Sequence, residues 1–364
     1  MDSAAFMPTV RCFNASRTVE QHDFPAFIHQ FDFERLYTEL EQADLIAKLH
    51  DFVDRAFALH AGKVLKISNR KAGKSKWVLA SRVPQRPDAA ETYLNASRVK
   101  ELITLIVEEA FVQVGDAIFR QVKGIPMGVN PACYFANLYL FMYELAFFEQ
   151  LLMLDTPDSR RVCETFRFTN RLIDDVDIIT PEGKGFVQSF LYTHQLHLGI
   201  RGIYPSRLNL KDSGSDNPHH TDFLDLHVQP ACGDHGPLQT SIFDKRQQPH
   251  FRERLATIRF PAPYSMLSSR CKLNVFDSQF VRYARLITSL MHFIESVASL
   301  MNELVQKGYK VAHIEKRCRL KIRDFPNLFG TQPGIANKFK HAKGLFHAIR
   351  HRFRVLMCES AGTT

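Results

Sequence analysis

Residues Phe166–Thr180 read Phe-Arg-Phe-Thr-Asn-Arg-Leu-Ile-Asp-Asp-Val-Asp-Ile-Ile-Thr, and the interpretation of the fold starts from them. Over residues 166–171, Phe, Phe and Asn alternate with Arg, Thr and Arg, a pattern typical of a strand. Residues 176–179 are largely apolar and form a second candidate strand. Asp174 and Asp175 stand between the two runs, where a tight turn tolerates aspartate. The stretch therefore predicts a β-hairpin that presents two adjacent carboxylates at its tip.

Two adjacent carboxylates have two interpretations. They repel each other, so holding them together is costly, and a divalent cation would offset that cost because hard oxygen ligands suit Mg²⁺. The alternative is a solvated Asp-Asp turn, which is the commoner explanation for the dipeptide alone. The remainder of the chain has to decide between the two.

The composition is that of an ordinary globular protein, but the charge is uneven. The chain has 364 residues, 45% apolar and 23% charged, with a net charge of +9. Between Ser241 and Arg354 there are 22 basic and 7 acidic residues, whereas the remainder carries 25 basic and 31 acidic ones. An acidic part followed by a basic part suits a metal-holding region beside a phosphate-binding one. A solvated basic helical domain explains the same charge pattern.

Cysteine usage and the N-terminus indicate a reducing compartment. The seven cysteines form no C-x-x-C pair, which argues against a zinc site or a disulfide framework. No signal-peptide core is present, so we expect a nuclear or cytoplasmic protein and not a secreted one. The most apolar stretch, Pro131–Leu154, contains Asn137 and Glu144 and predicts a buried helix, so no membrane association is expected.

Two earlier segments supply further candidate site residues. Residues 25–33 end in Phe31-Asp32-Phe33, a predicted strand in which Asp32 points away from its neighbours. By itself Asp32 is a weak signal, and a turn or cap role is the commoner explanation. Gly124–Gly128 is a glycine-rich turn that leads into a long helix, with Asn130 as predicted N-cap. Such a turn before a helix suits a phosphate or sugar, although a structural turn is the default.

The order of these pieces predicts a metal site. Strand, helices, hairpin, helix and strand follow the ferredoxin-like plan, in which a central strand faces the tip of a neighbouring hairpin. Asp32 would then meet Asp174 and Asp175, and three carboxylates can hold two Mg²⁺ ions, or Mn²⁺, for phosphoryl-transfer chemistry.

The chain resembles the reverse transcriptases, and most closely those of Penelope-like elements, which are related to telomerase. The resemblance rests on Phe31–Thr38, on Gly124–Gly128 with Asn130-Pro131, on Arg171–Asp175 and on Phe223–Leu226, and it covers about residues 24–325. The combination of the Gly-Ile-Pro-Met-Gly turn with the Asp-Asp hairpin is specific, whereas each motif alone is weak.

The resemblance implies a role for each matching residue. Asp32, Asp174 and Asp175 are implied to be catalytic and metal-binding, with the main-chain carbonyl of Phe33 as a further ligand. Tyr37 is implied to be a steric gate against a ribose 2′-hydroxyl, with a packed core tyrosine as the alternative. Nucleotide-binding roles are also implied for Gly124, Ile125, Pro126, Met127, Gly128, Asn130 and Lys211. For Lys211 the role is that of a general acid, and a plain surface lysine is the alternative.

The resemblance also implies the domain plan, an α+β polymerase palm with a helical thumb. We expect an irregular N-terminal remnant at 1–23, a palm at 24–230 with a basic insertion near 62–90, a thumb at 231–325 and a basic tail at 326–364. Phe223, Leu224 and Asp225 are implied to grip the primer, with Arg282 and Arg285 on the first thumb helix. The sequence departs from the family in having too few residues before Asp32 for complete fingers and in carrying Leu172 where an aromatic residue is usual.

Three functions fit these observations. The first is an RNA-directed DNA polymerase that uses an RNA template, a DNA primer and dNTPs. The second is a nucleic-acid-binding remnant without catalysis, suggested by the truncated fingers and the lack of a following endonuclease domain. The third is a two-metal nuclease, which uses the same ion chemistry.

Overall fold

The computed structural model describes residues 3–17, 26–68, 74–85, 88, 90–125, 128–232, 235–244, 260–324 and 342–361. Two of the predicted nucleotide-binding residues, Pro126 and Met127, lie outside these ranges. The chain divides into two compact units. One is Gln30–Ser213, and the other combines residues Met1–His29 with Gly214–Thr364. These limits differ from the predicted boundaries at 23/24 and 230/231.

Helices and strands are interspersed along the chain. The helices are α1 (Ser3–Ser16), α2 (Leu36–Glu39), α3 (Gln42–Leu59), α4 (Ala96–Glu108), α5 (Ala132–Leu154), α6 (Pro157–Phe166), α7 (Lys184–Gln188), α8 (Ser269–Leu286), α9 (Leu290–Gln306), α10 (Val311–Asp324) and α11 (Ala342–Ala361). The strands are β1 (Phe27–Phe33), β2 (Lys63–Ser68), β3 (Lys74–Leu79), β4 (Glu91–Leu94), β5 (Phe111–Val114), β6 (Ala117–Arg120), β7 (Phe168–Leu172), β8 (Asp175–Thr180), β9 (Leu196–His197), β10 (Ile200–Arg201), β11 (Leu210–Asp212), β12 (Thr221–Phe223), β13 (Leu226–Cys232) and β14 (His235–Ile242).

A four-stranded sheet in the order β11-β1-β8-β7 forms the centre of the unit Gln30–Ser213. Its β1–β11 and β7–β8 pairs are antiparallel, and Val176 and Ile178 of β8 belong to the same hydrophobic core as residues of α3, α4 and α5. Helix α5 is apolar on nearly every face, and its Ala136, Tyr139 and Leu140 are fully buried. The pattern favours a helix inside the fold, and the expectation of a buried helix is confirmed for the middle of α5, whereas Tyr134 near its start and Leu152 and Met153 near its end are exposed.

Two smaller sheets accompany the central one. Strands β3-β2-β4 form a three-stranded sheet at the position of the predicted basic insertion. Its Trp77 stacks on His60 and packs edge-on against Phe57 at the end of α3. Strands β5 and β6 form a two-stranded hairpin whose residues are all exposed, including Phe111, Ile118 and Phe119.

The second unit begins with helix α1, whose Phe6, Met7, Val10 and Phe13 are buried. The predicted irregular remnant at 1–23 is therefore wrong for residues 3–16. Asn14 exchanges two hydrogen bonds with the backbone of Leu238 in β14, at 2.8 and 2.9 Å, which joins α1 to the sheet β12-β13-β14. The sequence hides this helix because Pro8 lies within it, and proline is a poor residue for a helix interior.

Several other boundaries differ from expectation. The predicted basic tail contains α11, whose Leu345, Phe346, Ile349 and Phe353 are buried in the core with α8, α9 and α10. Residues 222–228, whose alternating pattern also fits a single strand, form the hairpin β12–β13, in which Leu224 adopts a left-handed φ of 60°. The N-cap of α5 is Pro131 and not Asn130. None of the helices over the described ranges is long and apolar enough to cross a lipid bilayer.

Candidate catalytic site

Asp32 lies near the end of β1, between β11 and β8 in the sheet. Its neighbours Phe31 and Phe33 are buried, whereas Asp32 is only partly buried, as strand alternation predicts. The backbone amide of Phe33 donates a hydrogen bond to the carbonyl of Asp174, with an N···O distance of 3.0 Å. The end of β1 is thereby tied to the tip of the β7–β8 hairpin.

The hairpin predicted over Phe166–Thr180 is confirmed as β7–β8, but its first strand starts at Phe168 because α6 extends to Phe166. Leu172 pairs with Asp175, which leaves Ile173 and Asp174 as the two turn residues. Asp174 is therefore at the tip, and Asp175 is the first residue of β8. Ile173 has a φ of 57°, which is rare for a β-branched residue and has to be stabilised by its surroundings.

Electrostatics connect these side chains. The pKa of Asp32 is raised by burial first, then by the negative charges of Asp174 and Glu34, with Lys211 opposing the shift. The pKa of the Tyr37 phenol is also raised, by burial and by the nearby Cys133 thiol and Asp174 carboxylate. Asp32, Asp174 and Tyr37 thus share one electrostatic neighbourhood, although the sequence separates Tyr37 from Asp174 by more than a hundred residues.

The side chains that could act as metal ligands at this site only partly meet the needs of a hard cation. Among the described residues, no group of three or more His, Cys, Asp and Glu side chains is arranged to hold a metal ion. The negative charge of Asp174 raises the pKa of Asp32, and a cation bound between the two carboxylates would relieve that repulsion. Mg²⁺ is commonly held by one or two carboxylates while substrate phosphates and water supply the other oxygens. Metal binding by Asp32, Asp174, Asp175 and the Phe33 carbonyl stays a prediction.

Arg171 connects the turn of the β7–β8 hairpin to helix α5, a role that was not predicted from the sequence. Its guanidinium donates to both carboxylate oxygens of Glu144, at 2.5 and 3.2 Å, and to the side-chain and main-chain oxygens of Asn137. It also donates to the carbonyl of Ile173 at 3.1 Å, and the Tyr204 hydroxyl donates to Glu144 at 2.8 Å. The signal in the sequence was Glu144, one of two glutamates within the largely apolar helix α5.

Replacing Arg171 with lysine is expected to destabilise the protein by about 1–2 kcal/mol, because one ammonium cannot reproduce the forked contacts to Glu144 and Ile173. Chemical denaturation of the wild type and the variant measures the difference. Arg167→Lys is a matched control, since Arg167 forms an exposed pair with Glu164 in a neighbouring segment. Equal losses in the two variants would contradict a special role for Arg171.

The remaining predicted nucleotide-binding residues are distributed unevenly. Gly124 and Ile125 are buried, whereas Gly128 and Asn130 are exposed. Lys211 faces Asp32 in the β1–β11 register, and its exposed ammonium lies 3.8 Å from the Glu34 carboxylate. The structure thus places Lys211 beside the carboxylates, and its function as a general acid stays a prediction.

The predicted primer-grip residues belong to the second unit. Phe223 is fully buried, with its ring centroid 5.0 Å from that of Phe6, so its side chain supports the turn and is not available at the surface. Leu224 and Asp225 form the β12–β13 turn, and Asp225 makes an ion pair with Arg282 of α8. Arg285 is exposed on the same helix. Contacts of these residues with nucleic acid stay predictions.

Comparisons with known proteins identify the fold. No protein-family model matches the sequence, and no curated protein matches it. Telomerase from Candida albicans, solved in complex with the TWJ fragment of telomeric RNA, is similar with a TM-score of 0.51 and 16% identity. The match covers 97% of this chain and 48% of that one.

Two telomerase structures from Candida tropicalis, the apo form and a complex with the TWJ fragment of telomeric RNA, give TM-scores of 0.38 and 0.42. Their identities are 13% and 12%, and these scores are too low to carry an argument. The chain spans about half the length of each of these telomerases, 48–49%. The likeness to the Candida albicans structure shows a telomerase-like reverse-transcriptase fold, and it does not support a Penelope-like element specifically.

Proposed function

We propose that this chain is an RNA-directed DNA polymerase domain whose centre is formed by Asp32, Asp174 and Asp175. The observation that carries the proposal is the meeting of Asp32 with Asp174 on neighbouring parts of one sheet, within a telomerase-like fold. In this proposal the sheet β11-β1-β8-β7 belongs to the palm, and the helices that follow Asp277 belong to the thumb.

Asp32 and Asp174 would hold the catalytic Mg²⁺ or Mn²⁺, with Asp175 and the carbonyl of Phe33 as further ligands. The bound ions would activate the primer 3′-hydroxyl and neutralise the triphosphate. Phosphoryl transfer depends mainly on such positioning and charge neutralisation, so no protein nucleophile is needed. The contribution of the chain is to hold the acidic tip at a fixed position, which the Arg171 contacts to Glu144 and Ile173 do.

Other residues would bind the substrates. Tyr37, beside Asp174, would exclude a ribose 2′-hydroxyl. Gly128 and Asn130 are exposed and would face the incoming dNTP and the RNA template. Lys211 would donate a proton to the departing pyrophosphate. The basic C-terminal part would bind the phosphates of a template–primer duplex, so binding should weaken steeply with salt.

Primer extension on an RNA template with a DNA primer, dNTPs and Mg²⁺ tests the proposal. Template-dependent incorporation of the complementary dNTP is expected from the wild-type chain. Salt-sensitive binding without incorporation would overturn the proposal in favour of a nucleic-acid-binding protein without catalysis. Degradation of an unprimed strand would overturn it in favour of a two-metal nuclease.

A further inference from the structure

The buried half of the glycine-rich turn is hydrogen-bonded to the backbone beside Tyr37. The amide of Gly124 donates to the carbonyl of Leu40 at 2.7 Å, and the amide of Ile125 donates to the carbonyl of Tyr37 at 2.8 Å. The Gln42 side chain donates to the carbonyl of Gly124 at 3.3 Å and thereby joins the turn to the start of α3. Three hydrogen bonds therefore connect residues 124–125 to residues 37–42.

No side chain fits at position 124. A Cβ there would overlap the carbonyl oxygen of Tyr37 and would lie 3.0 Å from the Cα of Thr38. Both are backbone atoms, so the overlap cannot be relieved by turning a side chain. Gly124 also has a φ of 78°, which L side chains rarely adopt. The close approach to Tyr37 thus requires glycine.

Tyr37 lies in helix α2, which is too short to be stable without contacts from other parts of the chain. Helix α2 has four residues, and Arg35, its N-cap, has a left-handed φ of 56° and makes no side-chain capping bond. A single helical turn is unstable by itself, because nucleation fixes several residues for one hydrogen bond. The contacts from Gly124 and Ile125, with an ion pair between Lys123 and Glu39, supply the missing constraint.

We propose that Gly124 and Ile125 are positioning residues that act from beneath α2 and set the place of the Tyr37 ring, and through it the choice between deoxyribose and ribose substrates. The inference rests on the proposed polymerase function. Gly124 and Ile125 are buried, so we do not expect them to touch the nucleotide directly. They would act on it through Tyr37 instead. The exposed half of the turn, Gly128 and Asn130, stays available to a substrate.

Gly124→Ala and Gly115→Ala form a matched pair for the test. Gly115 has a similar positive φ of 61°, but a Cβ there meets nothing within 4 Å, so both variants share the backbone strain and only one has the overlap. The ratio of incorporation efficiencies for dATP and ATP is measured for each. We expect Gly124→Ala and Tyr37→Ala to lower the ratio by about tenfold or more and Gly115→Ala to leave it unchanged.

A change in the ratio separates positioning from general damage, because a damaged fold lowers the use of both nucleotides together. Should Gly124→Ala fold poorly, Gln42→Leu removes one bond to the turn without adding an atom to it, and a smaller shift in the same direction is expected. Gly124→Ala or Gln42→Leu with the wild-type ratio, while Tyr37→Ala changes it, would overturn the inference and leave the polymerase proposal standing.

Hydrogen–deuterium exchange supplies a readout that does not need activity. Faster exchange in the peptide that covers residues 36–45 is expected in Gly124→Ala and not in Gly115→Ala. Unchanged exchange in that peptide would show that the glycine does not hold α2, which also overturns the inference. If the wild type incorporates no nucleotide, the polymerase proposal and the claim about sugar choice both fail. The exchange measurement would still show whether Gly124 stabilises α2.

Discussion

Replacing Asp174 with asparagine is expected to lower the rate of dNTP incorporation by at least roughly a hundredfold, since a neutral amide cannot neutralise a metal ion as a carboxylate does. The substitution keeps the size and the turn propensity of the side chain, so the hairpin should still form. Because Asp174 raises the pKa of Asp32, its loss should also move the pKa of Asp32 downwards. Single-turnover primer extension at saturating template–primer measures the rate.

Asp116→Asn is the matched control for this prediction. Asp116 lies in the turn of the exposed hairpin β5–β6 and is itself exposed, so it shares the local geometry of an acidic hairpin turn and lies in a different sheet. The control should incorporate dNTPs at the wild-type rate. Equal rates for Asp174→Asn and the wild type would remove the acidic tip from the mechanism, provided that the two proteins unfold at the same denaturant concentration.

Asp177→Asn is expected to stabilise the protein by a few kcal/mol at neutral pH. Asp177 is fully buried on β8, and neither of its carboxylate oxygens has a hydrogen-bond partner within the described part of the chain. Burial raises the pKa of this carboxyl to about 8. A buried ionised carboxylate without a donor is so costly that the folded group takes up a proton instead, and holding that proton at neutral pH costs stability. An amide of the same shape carries no charge and avoids this cost.

The sign of the pH dependence follows from the two pKa values. An unfolded aspartate loses its proton near pH 4, whereas the folded one keeps it until about pH 8. Between these values unfolding releases a proton, so the wild type loses roughly 1.4 kcal/mol of stability for each unit that the pH rises. The gap between variant and wild type should be small near pH 4, grow up to pH 8 and then level off.

Urea denaturation of both proteins at several pH values tests this prediction. Other groups titrate equally in the two chains, so the difference between their free energies of unfolding isolates residue 177. A constant difference across the range would contradict the prediction, because it would mean that Asp177 does not titrate abnormally. The same would hold if the variant were less stable at pH 8.

Much of the site could be predicted because it depends on local patterns. Alternation over residues 166–171 and the apolar run at 176–179 predicted a hairpin, and the order of motifs predicted the meeting of Asp32 with its tip. The buried state of Asp177 was not predictable from the same alternation. Strand periodicity shows which residues share a face, but it does not show whether that face is covered.

The fold was predicted wrongly where an element depends on contacts between residues that are distant in the sequence. Helix α1 contains a proline and is stabilised by contacts with β14, more than two hundred residues later. The β12–β13 turn has Leu224 at a left-handed φ, where a glycine or asparagine would have signalled a turn. The Arg171 network joins β7 to α5, and no spacing rule relates a strand residue to a helix residue 27 positions earlier.

The division of the chain has a consequence for its synthesis. Asn14 of α1 is bonded to Leu238, 224 residues downstream, while all of Gln30–Ser213 is translated in between. At the usual elongation rates of about 5–20 residues per second, the first helix waits roughly 10–45 s on the ribosome for its partner strand. During that interval the apolar side chains of α1 lack later partners such as Phe223, which packs against Phe6, so a nascent chain stalled near residue 210 should recruit chaperones through this helix.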